Sequence, residues 1–88
     1  MPQPAFAQIE EGVIDVLKNV SRRPIEPTVD SDLVADLGFD SLQVLETIAH
    51  LEDRFGIAMS TDNLTGTRTV ADVVARVVEL VEPWPGAS

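Results

Sequence analysis

The sequence predicts an all-α fold: a small four-helix bundle of three main helices and one short helix, with a long ordered loop between the first and second helices. Three segments repeat their apolar residues at helical spacing, and two of them start with a capping-box pattern. The 88 residues are predicted to form a single domain, because a chain of this length builds only one hydrophobic core. We expect order over about residues 5–82 and a flexible tail over 83–88.

The first helix is predicted from Ala5 to Val20. Its apolar residues recur at helical spacing along one stripe: Phe6, Ile9, Val13, Val16, Leu17 and Val20. Pro24 and Pro27 exclude a continuous helix in the connection that follows, over residues 21–39. We expect that connection to be held against the core by its own apolar side chains: Ile25, Val29, Leu33, Val34 and Leu37.

The second helix is predicted from Ser41 to Phe55. Asp40 and Gln43 form a capping-box pattern at its start, and Gly56 is suited to end it. One apolar stripe is predicted to face the core and contains Val44, Ile48, Leu51 and Phe55. A second stripe exceeds what core packing needs and contains Leu42, Leu45 and Ala49. We expect this second stripe to face a partner.

The short helix is predicted between Ile57 and Arg68. Its capping, anchoring and terminating residues would be Ser60, Thr61, Asp62, Leu64 and Gly66. The last helix is predicted from Thr69 to about Val81, with Thr69 and Asp72 as a second capping-box pattern. The core predicted from all these patterns consists of Phe6, Val13, Leu17, Leu33, Ile48, Leu51, Phe55, Val70, Val74 and Val77.

The composition restricts the possible ligands and environments. A net charge of −9 argues against nucleic acid and favours protein partners with basic patches. The absence of cysteine excludes disulfides and thiolate metal sites, and leaves the polypeptide without a thiol of its own. The N-terminus lacks the basic and apolar regions of a signal peptide, and no apolar run is long enough to span a membrane. We therefore expect a cytoplasmic monomer that does not insert into membranes.

The segment from Asp36 to Leu42 carries Asp-Leu-Gly followed by Asp-Ser-Leu. Together with the Leu51–Ile57 segment and the Thr-Val pair at position 69, it resembles the acyl carrier protein family, and the resemblance extends over about residues 6–81. The resemblance implies that a phosphopantetheinyl transferase moves 4'-phosphopantetheine from coenzyme A to Ser41. The thiol of that arm would then carry acyl groups as thioesters. Free N–H groups and the helix dipole at a helix start suit a phosphodiester at this position.

The resemblance also implies a carrier rather than an enzyme, working with separate enzymes such as ketosynthases or acyltransferases. Asp40 before Ser41 is more typical of acyl carriers than of peptidyl carriers. Departures from the housekeeping pattern at Gln43, Ala49, His50 and Arg54 favour a polyketide or other specialised pathway over fatty-acid synthesis. A peptidyl or aminoacyl carrier, and an acidic helical interaction module without an arm, remain as alternatives.

Partner enzymes are expected to bind the second helix. Acidic residues at a contact rim speed encounter, while a few buried apolar contacts hold the complex. The predicted partner-binding residues are Asp40, Leu42, Leu45, Glu46, Ala49, Glu52 and Asp53.

Other kinds of site are less well supported. A hydrolase is disfavoured, because the second glycine of a nucleophile elbow is missing and His50, the only histidine, lies nine residues beyond Ser41. The acidic residues before Ser41 lack the spacing of a calcium loop and are predicted to serve turns and caps: Asp30, Asp32, Asp36 and Asp40. We predict no metal site, and we expect Arg22 and Arg23 to form a solvated turn.

Overall fold

A computed structural model describes residues 6–60 and 66–81. These two stretches contain three α-helices, α1 (Phe6–Val20), α2 (Ser41–Phe55) and α3 (Val70–Val81), and the all-α class is confirmed. Residues 61–65, which form the centre of the predicted short helix, lie outside the described residues, and the flanking residues 57–60 and 66–68 are not helical. The predicted start of the first helix at Ala5 and the predicted tail over 83–88 also lie outside them.

The first helix, α1, holds the described helices together. It packs against both α2 and α3, whereas α2 and α3 make few contacts with each other. The buried face of α1 consists of Ile9, Gly12, Val13, Val16, Leu17 and Val20. α3 meets it with four side chains that are shielded completely from solvent: Val70, Val73, Val74 and Val77. Burial of these aliphatic groups is the main favourable contribution to the folding free energy.

The predicted core is correct except near the ends of elements. Phe6 is 59% exposed, so its assignment to the core was wrong: the buried face of α1 begins only at Ile9. Phe55 is half-buried at the end of α2. Val34 was also expected to pack inward, yet it is 67% exposed. Helical spacing shows which face a residue shares, but it does not show where along that face the neighbouring element ends.

Residues 21–40, between α1 and α2, are bound to the start of α3 by backbone hydrogen bonds. The N–H group of Leu33 donates to the carbonyl of Arg68 at 2.8 Å. In return, the N–H group of Val70 donates to the carbonyl of Ser31 at 3.0 Å. The first N–H groups of a helix have no partner within it, so the connection satisfies a donor that α3 leaves free. This pairing fixes the course of the chain before α2.

Two carboxylates strengthen the same junction. Asp72 Oδ2 accepts hydrogen bonds from the N–H groups of Arg68 and Thr69 at 3.0 and 3.1 Å, and Thr69 Oγ1 accepts the N–H of Asp72 at 3.2 Å, which completes the predicted capping box of α3. Asp32 Oδ1 accepts the N–H of Ala35 at 2.8 Å inside the turn before α2. The N–H of Ala35 makes the largest contribution at Asp32, and the N–H of Arg68 makes the largest at Asp72. These backbone hydrogen bonds lower the pKa of each carboxyl group. Both groups therefore remain ionised acceptors at neutral pH.

The contact between α1 and α2 depends on a glycine. Gly12 is buried, and a Cβ atom placed on it would lie 2.6 Å from Cζ of Phe55 and 3.1 Å from Nε of Arg54. The edge of an aromatic ring thus occupies the space that any other residue would need. Phe55 reaches the surface of α1 only because position 12 carries no side chain.

We expect Gly12→Ala to destabilise the fold, although alanine is the better helix former by about 0.5–1 kcal/mol. The added methyl group overpacks the contact with a rigid ring, at a cost of about 1–3 kcal/mol. Urea unfolding followed by circular dichroism measures the net change. The control is the same substitution in a Phe55→Leu background, where the smaller side chain should remove most of the penalty. A single variant more stable than the wild type would contradict the proposed contact.

Candidate functional site

The start of α2 is held by a capping box. Asp40 has extended backbone angles, and its Oδ1 atom accepts the N–H of Gln43 at 2.8 Å. Gln43 Oε1 in turn accepts the N–H of Asp40 at 3.2 Å. This is the pattern that the sequence predicted, and Gly56 ends the helix in the left-handed conformation, also as predicted. The bond pair fixes where α2 begins.

Ser41 is the first residue of α2, and it is exposed to solvent. Since the carboxylate of Asp40 caps the helix, the helix does not need the hydroxyl of Ser41 for this purpose. Its position at the end of the connection leaves the hydroxyl accessible to another macromolecule. His50 lies on the same helix about 13 Å farther along the axis, too far to act as its general base.

An open groove begins at Ser41. It has a volume of about 640 Å³, and its lining is mostly apolar: Val34, Phe39, Asp40, Ser41, Val44 and Leu45. A second depression of about 480 Å³ shares Val34 and Val44 with the first, and it reaches Asp32 and Arg68. The two depressions therefore adjoin at Val34 and Val44. A flexible arm attached to Ser41 fits this setting, because it would have apolar surface to rest on and open access to solvent.

The residues predicted to bind partners do not all have the same environment. Leu42 and Leu45 are 55% and 49% exposed, and Asp40, Glu46, Ala49 and Asp53 are exposed beside them. Glu52 is half-buried instead, and its Oε2 atom accepts the N–H of Met59 at 3.0 Å. This carboxylate anchors the chain after α2, a contact that the helical pattern does not reveal.

Sequence reasoning also missed two features of the site. Val34 was expected to be buried, but it lies exposed in the wall of the groove next to Ser41. Arg22 and Arg23 were expected to form a solvated turn, and both are exposed. The sequence did not reveal that they lie beside residues that precede Ser41: the Nη1 atom of Arg22 is 3.8 Å from Oδ2 of Asp40, and Arg23 lies beside Gly38. The apolar residues next to Val34 in the sequence, and the pair of adjacent arginines, could have suggested a surface role. The sequence alone does not show which distant residues they contact.

Three of the four aspartates that were predicted to serve turns and caps do so: Asp32, Asp36 and Asp40. Asp36 Oδ2 accepts the N–H of Asp32 at 2.7 Å, and Asp40 caps α2. Among the residues that the structure describes, no group of three or more histidine, aspartate or glutamate side chains is arranged to hold a metal ion. In the same part of the chain, no helix combines the length and the apolarity that crossing a bilayer requires.

Residues 11–77 match the family described as Phosphopantetheine attachment site. The chain belongs to this family. Members carry 4'-phosphopantetheine covalently and act as carriers rather than catalysts.

Curated relatives and a solved structure agree with this assignment. The chain is 35% identical over 82 residues to the meromycolate extension acyl carrier protein of Mycobacterium tuberculosis strain H37Rv, covering 92% of this chain and 71% of that one. It is 42% identical over 57 residues to an acyl carrier protein of Rhodococcus erythropolis, covering 65% of this chain and 63% of that one. A solved structure assigned as an acyl carrier protein from Mycobacterium tuberculosis superposes with a TM-score of 0.74 at 37% identity, covering 81% of this chain and 96% of that one. The family match and these relatives identify the chain as an acyl carrier protein.

The contribution of the Asp40 cap to the stability of the domain can be tested directly. We expect Asp40→Ala to lower the free energy of unfolding by about 0.5–2 kcal/mol, because the N–H of Gln43 loses its acceptor. Asp40→Asn keeps a capping oxygen and removes only the charge, so it should unfold close to the wild type. Urea titration of both unmodified variants measures the difference. Equal losses in the two variants would show that charge, not capping, is the contribution of Asp40.

Proposed function

We propose that Ser41 is the residue that receives 4'-phosphopantetheine. Its support is the exposed position of Ser41 at the first residue of α2, where Asp40 supplies the cap and the groove begins. In the transfer, Ser41 Oγ forms a bond to the β-phosphorus of coenzyme A as the pyrophosphate linkage breaks. Adenosine 3',5'-bisphosphate leaves, and the hydroxyl proton passes to a base on the transferase.

Incubation of the purified chain with coenzyme A and a phosphopantetheinyl transferase should add the mass of one phosphopantetheine group. Ser41→Ala should add none, and peptide mapping of the wild-type product should place the whole modification on the peptide containing Ser41. Circular dichroism of Ser41→Ala serves as the folding control. A mass gain that persists in Ser41→Ala would place the arm elsewhere, and no gain in either protein would favour an interaction module without the arm.

We further propose that the loaded chain delivers acyl intermediates to separate enzymes that extend them. One relative described above is named a meromycolate extension acyl carrier protein, and another is named simply an acyl carrier protein. Those names support extension of acyl chains, as in fatty-acid synthesis, and lend no support to the polyketide pathway that the departures at Ala49 and His50 favoured. The transferase and acyl-loading enzymes, such as ketosynthases or acyltransferases, would be the partners.

Three further features belong to the same proposal. The short fourth helix predicted between Ile57 and Arg68 would complete the four-helix bundle. A monomer located in the cytoplasm would suit a carrier that visits several enzymes in turn. These features remain predictions.

The proposed partner surface is the exposed side of α2 with one residue added from the connection. Its apolar part consists of Leu42, Leu45, Ala49 and Val34, and its acidic rim consists of Asp40, Glu46 and Asp53. Glu52 contributes less to this surface, because its carboxylate is already bonded to the N–H of Met59. Val34 and Leu45 line the same groove, and a contiguous apolar surface rimmed by polar residues marks an interaction site.

Glu46→Lys should slow modification by the transferase about threefold to tenfold at low salt, because it reverses a rim charge that steers encounter. The defect should shrink at high salt, since screening weakens interactions between exposed charges. Glu11→Lys, on the exposed side of α1, makes the same change in net charge and serves as the matched control. Initial rates at several salt concentrations measure both.

Leu45→Ala should also slow modification by the transferase. This defect should persist at high salt, because salt does not screen an apolar contact. If Glu46→Lys and Glu11→Lys slow modification equally, net charge and not the surface of α2 governs encounter. If Leu45→Ala is fully active at every salt concentration, the apolar side of α2 does not hold the partner.

A further inference from the structure

The distribution of positive charge is uneven in this chain. It has 15 acidic residues and only six lysines and arginines. Two of those six, Arg22 and Arg23, lie beside the three residues that lead into α2. Nη1 of Arg22 is 3.8 Å from Oδ2 of Asp40, and Nη2 of Arg23 lies 3.1 Å from the position that a Cβ atom on Gly38 would occupy. A third of the lysine and arginine side chains therefore lie beside residues that shortly precede the attachment site proposed above, Asp40 and Gly38.

The turn that carries the two arginines is fixed to the end of α1. The N–H of Ser21 donates to the carbonyl of Leu17 at 3.0 Å, which extends the helical bonding past Val20. Ser21 Oγ donates to the carbonyl of Arg23 at 2.6 Å and accepts its N–H at 3.3 Å. Although both side chains are exposed, their backbone is therefore held in one place relative to the end of α1.

Gly38 makes room for the guanidinium group of Arg23. Its φ angle of +72° lies in the left-handed region, which disfavours residues with a Cβ atom. The guanidinium group also lies where such an atom would project. Arg23 makes no ion pair within the part of the chain that the structure describes, so its charge is available to a further anion.

Modification of Ser41 places a new negative charge next to an existing one. The phosphodiester would carry one negative charge on Ser41, directly after the carboxylate of Asp40. The Oδ1 atom of Asp40 is committed to the N–H of Gln43, so this carboxylate stays close by. Two negative charges on adjacent residues repel each other, and a cation close to both offsets that repulsion. Guanidinium groups match phosphate oxygens in geometry and bind them through charged hydrogen bonds.

We propose that Arg22 and Arg23 bind the phosphodiester on Ser41 and hold the base of the arm at the start of α2. The proposal rests on the modification of Ser41. Arg22 interacts with both Asp40 and the phosphate, and Arg23 adds a second positive charge above Gly38. Both are positioning residues, because they take no part in forming or breaking the thioester. The contact would restrict the base of the arm next to the groove that Ser41, Val34 and Leu45 line.

The test compares how modification changes thermal stability in two double variants. Arg22→Gln with Arg23→Gln removes the proposed contact, and Arg54→Gln with Arg76→Gln removes two arginines that pair elsewhere, with Asp15 and Glu79. Each variant has a net charge of −11, from −9 minus 2. Because each modified protein is compared with its own unmodified form, differences in basal stability cancel.

At about 20 mM salt, modification should lower the melting temperature of the Arg22/Arg23 variant by about 2–5 °C more than that of the control variant. The difference should shrink at about 0.5 M salt. In the wild type, the Nε–H resonances of Arg22 and Arg23 should shift in NMR spectra on modification, while those of Arg54 and Arg76 should not. Neither measurement depends on an enzyme that uses the loaded chain.

The outcomes separate this inference from the function on which it rests. If intact mass shows no modification of Ser41 in any protein, attachment at Ser41 and the arginine contact are both wrong. If every protein is modified but the two double variants respond alike, only the arginine contact is wrong. Unchanged Arg22 and Arg23 resonances in the modified wild type would overturn the contact in the same way.

Discussion

Packing of a single helix face, on α1, is the interaction on which the rest of the described structure depends. α2 and α3 make few contacts with each other, so each is positioned mainly through its contact with α1. The connection before α2 is bound to the start of α3 by backbone hydrogen bonds, and it therefore depends on α1 as well. This arrangement leaves one side of α2 without a structural partner in the described part of the chain. Leu42 and Leu45 remain exposed there, next to Ser41.

The start of α2 separates two tasks that one residue could not perform together. A serine at the cap position would commit its hydroxyl to the helix, since serine is itself a good capping residue. Here Asp40 and Gln43 cap the helix reciprocally, and the next residue, Ser41, keeps its hydroxyl at the surface. The arrangement also places a carboxylate beside the position where a phosphodiester would form. The ion pair of Arg22 with Asp40 compensates part of that charge.

The remaining apolar surface near Ser41 comes from two separate parts of the chain. Val44 and Leu45 belong to α2, whereas Val34 belongs to the turn held by the carboxylate of Asp32. The hydrogen bonds of that turn, and its pairing with the residues before α3, keep Val34 at the edge of the groove. The same contacts that order the connection therefore also shape the surface on which the arm and its partners would meet.

The helices and the cap could be predicted from the sequence because the interactions that specify them are local. Helical spacing located α1, α2 and α3 to within about a residue, and the box of Asp40 and Gln43 lies within a single turn. The exposure of Val34, the anchoring role of Glu52 and the position of Arg22 beside Asp40 emerged only in the tertiary structure. Each of these depends on which distant segment packs nearby. A residue's own sequence neighbourhood determines the face it occupies, but the fold of the whole chain decides what that face meets.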